Sequence, residues 1–202
     1  MRSNFSERSD ERLRPQDVLE RYAILDFEAS SLSARSWPIE VGLSWVAGDE
    51  VETWSSLIRP DETWDLQDWS PASAAVHGIA LDQLAEAPDR AWVTQEFHRQ
   101  LGKRQLVSDA PEFETRWLAQ LIGLDPSQVG LRVQDFDAVS FARFKGYALD
   151  MVYETVERRT ALHRAGPDTA RLAAGWLAAM RAEGRDPQDA IPGPAPSSGD
   201  DA

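Results

Sequence analysis

Residues 22–28 read YAILDFE, an apolar run that is closed by an acidic residue. A short run of this kind is typical of a buried β-strand, which we predict over Tyr22–Asp26. Apolar and other residues then alternate over Pro38–Ala47, a pattern that predicts a half-buried strand. A turn sequence at 48–50 leads into a third predicted strand, Val51–Ile58. Because these strands follow one another closely, we predict an antiparallel meander.

Downstream of the meander, helical and extended patterns alternate. Helices are predicted at residues 71–77, 81–85, 89–101, 113–122, 138–159 and 168–182. Two further short strands are predicted at 106–108 and 131–135. This order predicts an α/β or α+β domain of three layers, in which helices flank one mixed sheet of five strands, the antiparallel meander and then parallel strands.

The chain has 202 residues, a length that suits one globular domain, and we place that domain at residues 21–185. Residues 1–20 are polar, and we predict a flexible lead-in there. Residues 186–202 are acidic and rich in Pro, Gly and Ser, a composition that predicts a disordered tail. The sequence shows neither a secretory signal nor an apolar run long enough to span a bilayer. We therefore expect a cytoplasmic protein.

The composition excludes several function classes. Cysteine is absent, which rules out disulfides, Cys-ligated zinc and a Cys nucleophile. The formal net charge is −13, which speaks against a broad nucleic-acid-binding face, because such faces are basic. The charge is uneven, however, since residues 37–98 carry −10 and residues 99–185 carry +2. The charge therefore speaks against a wide nucleic-acid contact surface, but it is compatible with a contact to a few nucleotides.

Two acidic residues close the first predicted strand. Asp26 and Glu28 flank Phe27, so their side chains point to the same side of the strand. Two carboxylates held together repel each other, and a shared divalent cation stabilises such a pair. The alternative interpretation is a strand that simply ends in a polar turn.

A second pair of polar residues precedes the last predicted helix. Gly166 and Pro167 break the preceding helix, and the proline suits the first turn of the next one. His163 is therefore expected on an exposed loop, with Asp168 in the first helical turn. The alternative is that Asp168 only faces the helix dipole and that His163 is a solvated loop residue.

A third acidic group, Asp109, Glu112 and Glu114, lies where a short strand gives way to a helix near Pro111. Each of these acids has a structural explanation, either as a helix N-cap or as a first-turn residue facing the helix dipole. Their place between the two other groups is what makes them candidates for chemistry.

Taken in order, these groups resemble the motifs of the DEDDh 3′→5′ exonuclease superfamily, typified by the proofreading subunit of DNA polymerase III, ribonuclease T and oligoribonuclease. The resemblance covers about Tyr22 to Met180. The segments that carry it are Ile24-Leu25-Asp26-Phe27-Glu28, Ile39-Glu40-Val41-Gly42, Val76-His77-Gly78-Ile79 and His163-x-Ala165-x-x-Asp168.

This resemblance implies a ribonuclease H-like α/β fold and a metal-dependent 3′→5′ exonuclease. Such an enzyme would shorten single-stranded nucleic acid or short oligonucleotides to nucleoside 5′-monophosphates with two Mg²⁺ or Mn²⁺ ions. The implied metal ligands are Asp26, Glu28 and Asp168, with His163 as general base.

One motif departs from the family pattern, which usually reads His-Asn-x-x-Phe-Asp and ends in a metal ligand. Alignment on Phe113 puts Glu114 in the position of that Asp, and Asp109 falls nearer the usual His. Either Glu114 or Asp109 would therefore complete the ligand set.

The resemblance also implies substrate contacts. Leu32 stands where the family often has a leucine that wedges against a base, and His77 and Trp37 are further candidates for base contacts, with core packing as the alternative for Trp37. The candidates for phosphate-backbone contacts are the basic residues near the third motif, with solvated surface charge as their alternative: Arg143, Lys145, Arg158, Arg159 and Arg164.

Several relatives in the superfamily dimerise, so a homodimer is compatible with the resemblance. Two other functions remain open from the sequence. The first is a binding or scaffold module that keeps the nuclease fold with weak or no activity. The second is a two-metal phosphodiesterase that acts on small nucleotides.

Overall fold

The structure is a computed structural model, and it describes residues 19–183. The predicted tail at 186–202 and nearly all of the predicted lead-in at 1–20 lie outside the described residues, so both stay predictions. Within residues 19–183, no helix is long and apolar enough to cross a membrane.

A mixed sheet of five strands forms the centre of the domain. The strands β1 (Tyr22–Ala29), β2 (Pro38–Ala47) and β3 (Glu50–Leu57) form an antiparallel meander, as predicted. The strands β4 (Gln105–Ser108) and β5 (Val133–Asp135) continue the sheet parallel to β1, in the order β3-β2-β1-β4-β5. The predicted mixed sheet is thus confirmed.

Within the described residues, six helices surround the sheet. They are α1 (Pro71–His77), α2 (Arg90–Leu101), α3 (Pro111–Ile122), α4 (Phe136–Arg143), α5 (Gly146–Glu157) and α6 (Ala165–Ala182), with short 3-10 turns at Gln83–Glu86 and Pro126–Gln128. The predicted cap of α2 is present, since the Asp89 carboxylate accepts a hydrogen bond from the Trp92 N–H. A side-chain acceptor of this kind pairs one of the N–H groups that a helix start leaves unsatisfied.

The prediction of one long helix over 138–159 is wrong, because the chain breaks between α4 and α5. Phe144 is extended and almost fully buried, and Gly146 has a φ of +52°. The left-handed region suits glycine, which has no Cβ, and it ends a regular helix. The break lets the ring of Phe144 pack in the core with Ala148 and Val152, instead of following the helix surface.

The prediction that β2 is half-buried is also wrong, since nine of its ten residues are buried. The reason is that helices cover both faces of the sheet. One face packs against α2 and α3, and the other packs against α4, α5 and α6. Leu25 belongs to the first face and Ile24 to the second, as alternation along a strand requires.

The start of α6 lies very close to β2. A Cβ atom built at Gly42 would lie 2.4 Å from the backbone carbonyl carbon and oxygen of Ala165. Gly42 is also the register partner of Asp26 on β1. A glycine at this position therefore lets the first turn of α6 approach the strand end that carries Asp26 and Glu28.

Candidate active site

Three of the predicted metal ligands meet on the α6 side of the sheet. Asp26 and Glu28 share a face of β1 because they are two residues apart on a strand. Asp168 lies in the first turn of α6, which packs against that face. One oxygen of each carboxylate lies within 4.8 Å of the others. The structure thus brings these three residues, which are distant in sequence, into one cluster.

The cluster is electrostatically unfavourable in the absence of a cation. Burial raises the pKa of Asp26 well above its ordinary value, and the Glu28 carboxylate raises it further. The pKa of Glu28 is raised to about 7, first by burial and then by the carboxylates of Glu40 and Asp168. A cluster of carboxylate oxygens is the donor set that Mg²⁺ and Mn²⁺ prefer, and a cation would offset the repulsion. These residues therefore fit a divalent metal ion.

Glu114 approaches the same cluster from α3. The register of β1 and β4 ends at Ile24 and Val107, so the later residues of β1 lack a strand neighbour on that side. Glu114 lies beside this edge and is 2 % exposed. Burial raises its pKa strongly, and the nearby Asp26 carboxylate adds to the effect. Among residues 19–183, its Oε2 atom has no hydrogen-bond partner, and a metal ion or its bound water would supply one.

Asp109 lies at the exposed rim of the same site. It lines a cavity of about 260 Å³ together with Asp26, Glu28 and Asp168. Partial desolvation raises the pKa of Asp109, while the guanidinium of Arg171 opposes that rise. Both candidates for the fourth acid are therefore close to the cluster. Asp109 faces the cavity, and Glu114 is buried behind it.

His163 lines this cavity and is exposed, as the sequence predicts. Its φ of +50° is uncommon for a residue other than glycine. Its two neighbours are anchored. The Leu162 N–H donates to Asp168 Oδ1 at 3.0 Å, and the Arg164 guanidinium donates two hydrogen bonds to the Glu40 carboxylate at 2.7 and 2.8 Å. These contacts fix the loop that presents the imidazole.

The predicted substrate residues have different surroundings. Leu32 is 74 % exposed on the loop after β1. His77 is 4 % exposed and packs edge-on against Trp69, and its Nδ1 accepts a hydrogen bond from the Ile79 N–H. Arg164 is committed to the buried Glu40, as described above.

The other basic candidates lie in ion pairs or at the surface. Arg143 pairs with Glu183, and Arg158 pairs with Glu154. Lys145 and Arg159 are exposed. Trp37 has no exposed surface and packs between Trp64 and Trp69, so it forms part of the core instead of a base-contacting surface.

Arg171 is a charged residue of the cavity that the sequence motifs did not predict. It lies three residues after Asp168 on α6 and lines the cavity that the acids line. Residues three apart on a helix share a face, so the position of Asp168 was the signal that could have identified it.

Comparisons with solved structures identify the architecture. Over 77 % of this chain, the fold matches E. coli exonuclease I in complex with a dA16 oligonucleotide, with 15 % identity and a TM-score of 0.55. Over 81 %, it matches the nuclease domain of 3′hExo, a DEDDh family member bound to rAMP, with 18 % identity and a TM-score of 0.56. The chain shares the fold of these two proteins. A third match, exonuclease X in complex with 5′ overhanging duplex DNA, covers 83 % of the chain at 21 % identity and a TM-score of 0.53.

These matches differ in how much of each protein the chain spans. The chain covers 40 % of exonuclease I, but 92 % of the 3′hExo nuclease domain and 95 % of exonuclease X. No protein-family model matches the sequence, and no curated protein matches it. The fold that the sequence resemblance implies is thus confirmed.

Proposed function

We propose that this chain is a metal-dependent 3′→5′ exonuclease that shortens single-stranded nucleic acid or short oligonucleotides to nucleoside 5′-monophosphates. The observation that carries the proposal is the cavity lined by the Asp26, Glu28 and Asp168 carboxylates and by His163. The shared fold with 3′-exonucleases supports it. Burial and neighbouring carboxylates raise the pKa values of Asp26 and Glu28, and a displaced pKa in a cavity marks a group as a candidate for function.

Asp26, Glu28 and Asp168 would hold a divalent ion, and Glu114 or Asp109 would complete a site for two Mg²⁺ or Mn²⁺ ions. When bound, such ions supply Lewis-acid activation of a water and stabilise negative charge on the phosphate. The raised pKa values of Asp26 and Glu28 mean that metal binding must displace protons.

His163 would take the proton of the attacking water as general base. Its exposed position on the cavity wall allows it to reach a water inside the cavity. Leu32 would wedge against the terminal base, since a large apolar side chain that is 74 % exposed is available for such a contact. The 3′ end of the nucleic acid would therefore lie between Leu32 and the carboxylates.

The test is an assay on a single-stranded oligonucleotide carrying a 5′ label, in the presence of Mn²⁺. We expect a ladder of successively shorter labelled products and release of mononucleotides. Asp26→Ala should abolish the ladder, because Asp26 is one of the three clustered carboxylates that line the cavity. Asp150→Ala, an exposed acid on α5, is the matched control and should leave trimming intact. Trimming that persists in Asp26→Ala would contradict the proposal.

A binding or scaffold module is the second candidate, and the departure at Glu114 favours it. An additional methylene at that position could displace a second ion, and catalytic rates are sensitive to displacements of about 1 Å. A divalent-metal titration separates the two functions, because an exonuclease site should raise the melting temperature in Mn²⁺. A flat melting temperature would favour the module.

The small-nucleotide phosphodiesterase and the homodimer also stay proposals. Comparison of a dinucleotide with a longer strand as substrates separates the phosphodiesterase, which should cleave the first and ignore the second. Analytical ultracentrifugation determines the oligomeric state.

A further inference from the structure

Arg171 brings a fixed positive charge into the acidic cavity. The described residues that line the cavity include four carboxylates and His163, and Arg171 is the only Arg or Lys among them. It lies three residues after Asp168 on α6, so both side chains leave the same face of the helix. This charge is not explained by the metal-ligand role of the acids, because a guanidinium would repel a cation.

The guanidinium of Arg171 has few protein partners. Nη1 donates to the backbone carbonyl of Val156 at 3.3 Å, near the end of α5. Its Nε is buried and, within the described part of the chain, has no hydrogen-bond partner. Among residues 19–183, no carboxylate oxygen lies within 4.0 Å of its guanidinium nitrogens.

Three of the other arginines considered for substrate contact differ from Arg171 because they have a carboxylate partner. Arg143, Arg158 and Arg164 each form an ion pair with a glutamate. Since no described carboxylate pairs with Arg171, the charge of its guanidinium is available to an anion in the cavity that it lines. A guanidinium presents parallel N–H donors that match phosphate oxygens, and it does so more specifically than an ammonium group.

We propose that Arg171 binds the phosphate group of the nucleotide at the cleaved end and holds it beside the carboxylate cluster. The proposal rests on the proposed exonuclease function and adds a substrate-binding residue to that site. The anion binds to Arg171 on one side, and the cation site of Asp26, Glu28 and Asp168 faces it from the other. Arg171 would therefore contribute to recognition of the phosphate and not to recognition of the base.

The experiment measures binding of AMP and of adenosine by calorimetry in saturating Mn²⁺, with wild-type protein and Arg171→Gln. Loss of hydrogen bonds to a charged group should weaken AMP binding about tenfold to a hundredfold. Adenosine lacks the phosphate, so its binding should not change. Arg181→Gln is the matched control, since it removes the same charge from an exposed position about 15 Å along the same helix. It should bind AMP like the wild type.

Unchanged AMP affinity in Arg171→Gln, or an equal loss for adenosine, would overturn the proposal. If the Gln variant does not fold, which its melting curve reports, Arg171→Lys provides the test. The Lys variant keeps the charge but loses the paired donors, so AMP binding should weaken about fivefold. Full affinity in the Lys variant would also overturn the proposal.

The parallel trimming assay separates this proposal from the function on which it rests. Wild-type protein that binds AMP through Arg171 but trims no strand contradicts the exonuclease and leaves the phosphate site. If the protein trims strands but its AMP binding is independent of Arg171, the phosphate site is contradicted and the exonuclease function is kept.

Discussion

At the scale of single residues, the conformation of His163 depends on its neighbours. A φ of +50° outside glycine costs of order 1–3 kcal/mol and persists only where the surrounding structure holds it. Here the hydrogen bonds of Leu162 to Asp168 and of Arg164 to Glu40 hold both sides. The Ala165 N–H adds a third bond to the same Glu40 carboxylate. Glu40 therefore acts as a positioning residue for His163.

We predict that Glu40→Gln lowers kcat about tenfold to a hundredfold and leaves AMP affinity nearly unchanged, because the imidazole is displaced while the phosphate contact stays. The free energy of unfolding should fall by about 1–3 kcal/mol, since an amide replaces a buried charged acceptor. Steady-state kinetics and denaturant titration measure both effects. Glu154→Gln, in an exposed pair with Arg158, is the control and should change stability by less than about 0.5 kcal/mol. Normal kcat in a folded Glu40→Gln protein would remove the positioning role.

The identity of the fourth metal ligand also depends on the surroundings of single residues. We predict that Glu114→Gln weakens Mn²⁺ binding about 10- to 100-fold and that Asp109→Asn has the smaller effect. The reason is that Glu114 is buried with an unpartnered oxygen, whereas Asp109 is exposed near Arg171. Calorimetric titration with Mn²⁺ compares the two variants directly. The opposite order of affinities would assign the ligand to Asp109.

At the scale of elements, the site depends on how closely α6 approaches the sheet. Gly42 permits the contact between β2 and the first turn of α6, and Thr169 reinforces it through a hydrogen bond to Ser44 at 2.8 Å. The loop that carries Leu32 is held in a similar way. Ser31 and Ser33 on either side of it both donate to the Asp68 carboxylate, at 3.0 and 2.6 Å. The loop tip and the helix start are thus both fixed by contacts with distant segments.

We predict that Gly42→Ala destabilises the fold by about 1–3 kcal/mol or more, because the added methyl group overlaps the Ala165 backbone. The displaced first turn of α6 carries Asp168, so activity and Mn²⁺ affinity should be lost as well. Gly48→Ala is the control, at an exposed turn with φ +59° and no atom within 4 Å of the added Cβ. It should cost about 1 kcal/mol from backbone strain alone and keep full activity. Equal activity in Gly42→Ala and Gly48→Ala would mean that Gly42 does not determine the geometry of the site.

At the scale of the whole molecule, part of the negative charge of the chain is concentrated at the candidate site. The net charge is −13, and the candidate site itself holds carboxylates from β1, the β4–α3 junction and α6. Without a cation, these groups repel one another in a partly buried cavity. The fold therefore gains stability when a divalent ion binds, because ligands that bind the native state stabilise it.

We predict that the stability of the metal-free protein falls as the pH rises from about 4.5 to about 7. Glu28 has a pKa of about 7 in the folded state and 4.5 in the unfolded chain, so the folded protein holds its proton more tightly. The resulting stabilisation is complete below pH 4.5 and is lost as the pH rises through 7. After allowance for solvent screening, we expect about 2 kcal/mol from this group.

Denaturant titrations in EDTA at several pH values measure this effect. Glu28→Gln should flatten the pH dependence by the Glu28 contribution, and Mn²⁺ should reverse its direction in the wild type, because metal and protons compete for the same oxygens. Identical pH profiles for wild type and Glu28→Gln in EDTA would contradict the prediction.

The order of the five strands and of most helices can be predicted from the sequence alone, as can the candidates Asp26, Glu28, His163 and Asp168. Strand alternation, helix starts and Pro-Gly breaks are local properties, so they can be read along the chain. The break at Phe144 was missed because it serves the packing of that ring in the core, and periodicity continues through it.

Which groups face one another depends on the tertiary structure. Arg164 pairs with Glu40 across 124 residues of sequence, although it was expected to contact substrate. Glu114 reaches the cluster past the end of β4, and Arg171 enters the cavity from α6. Such contacts depend on how α3 and α6 pack against the sheet, and packing between distant segments leaves no periodic signal in one sequence.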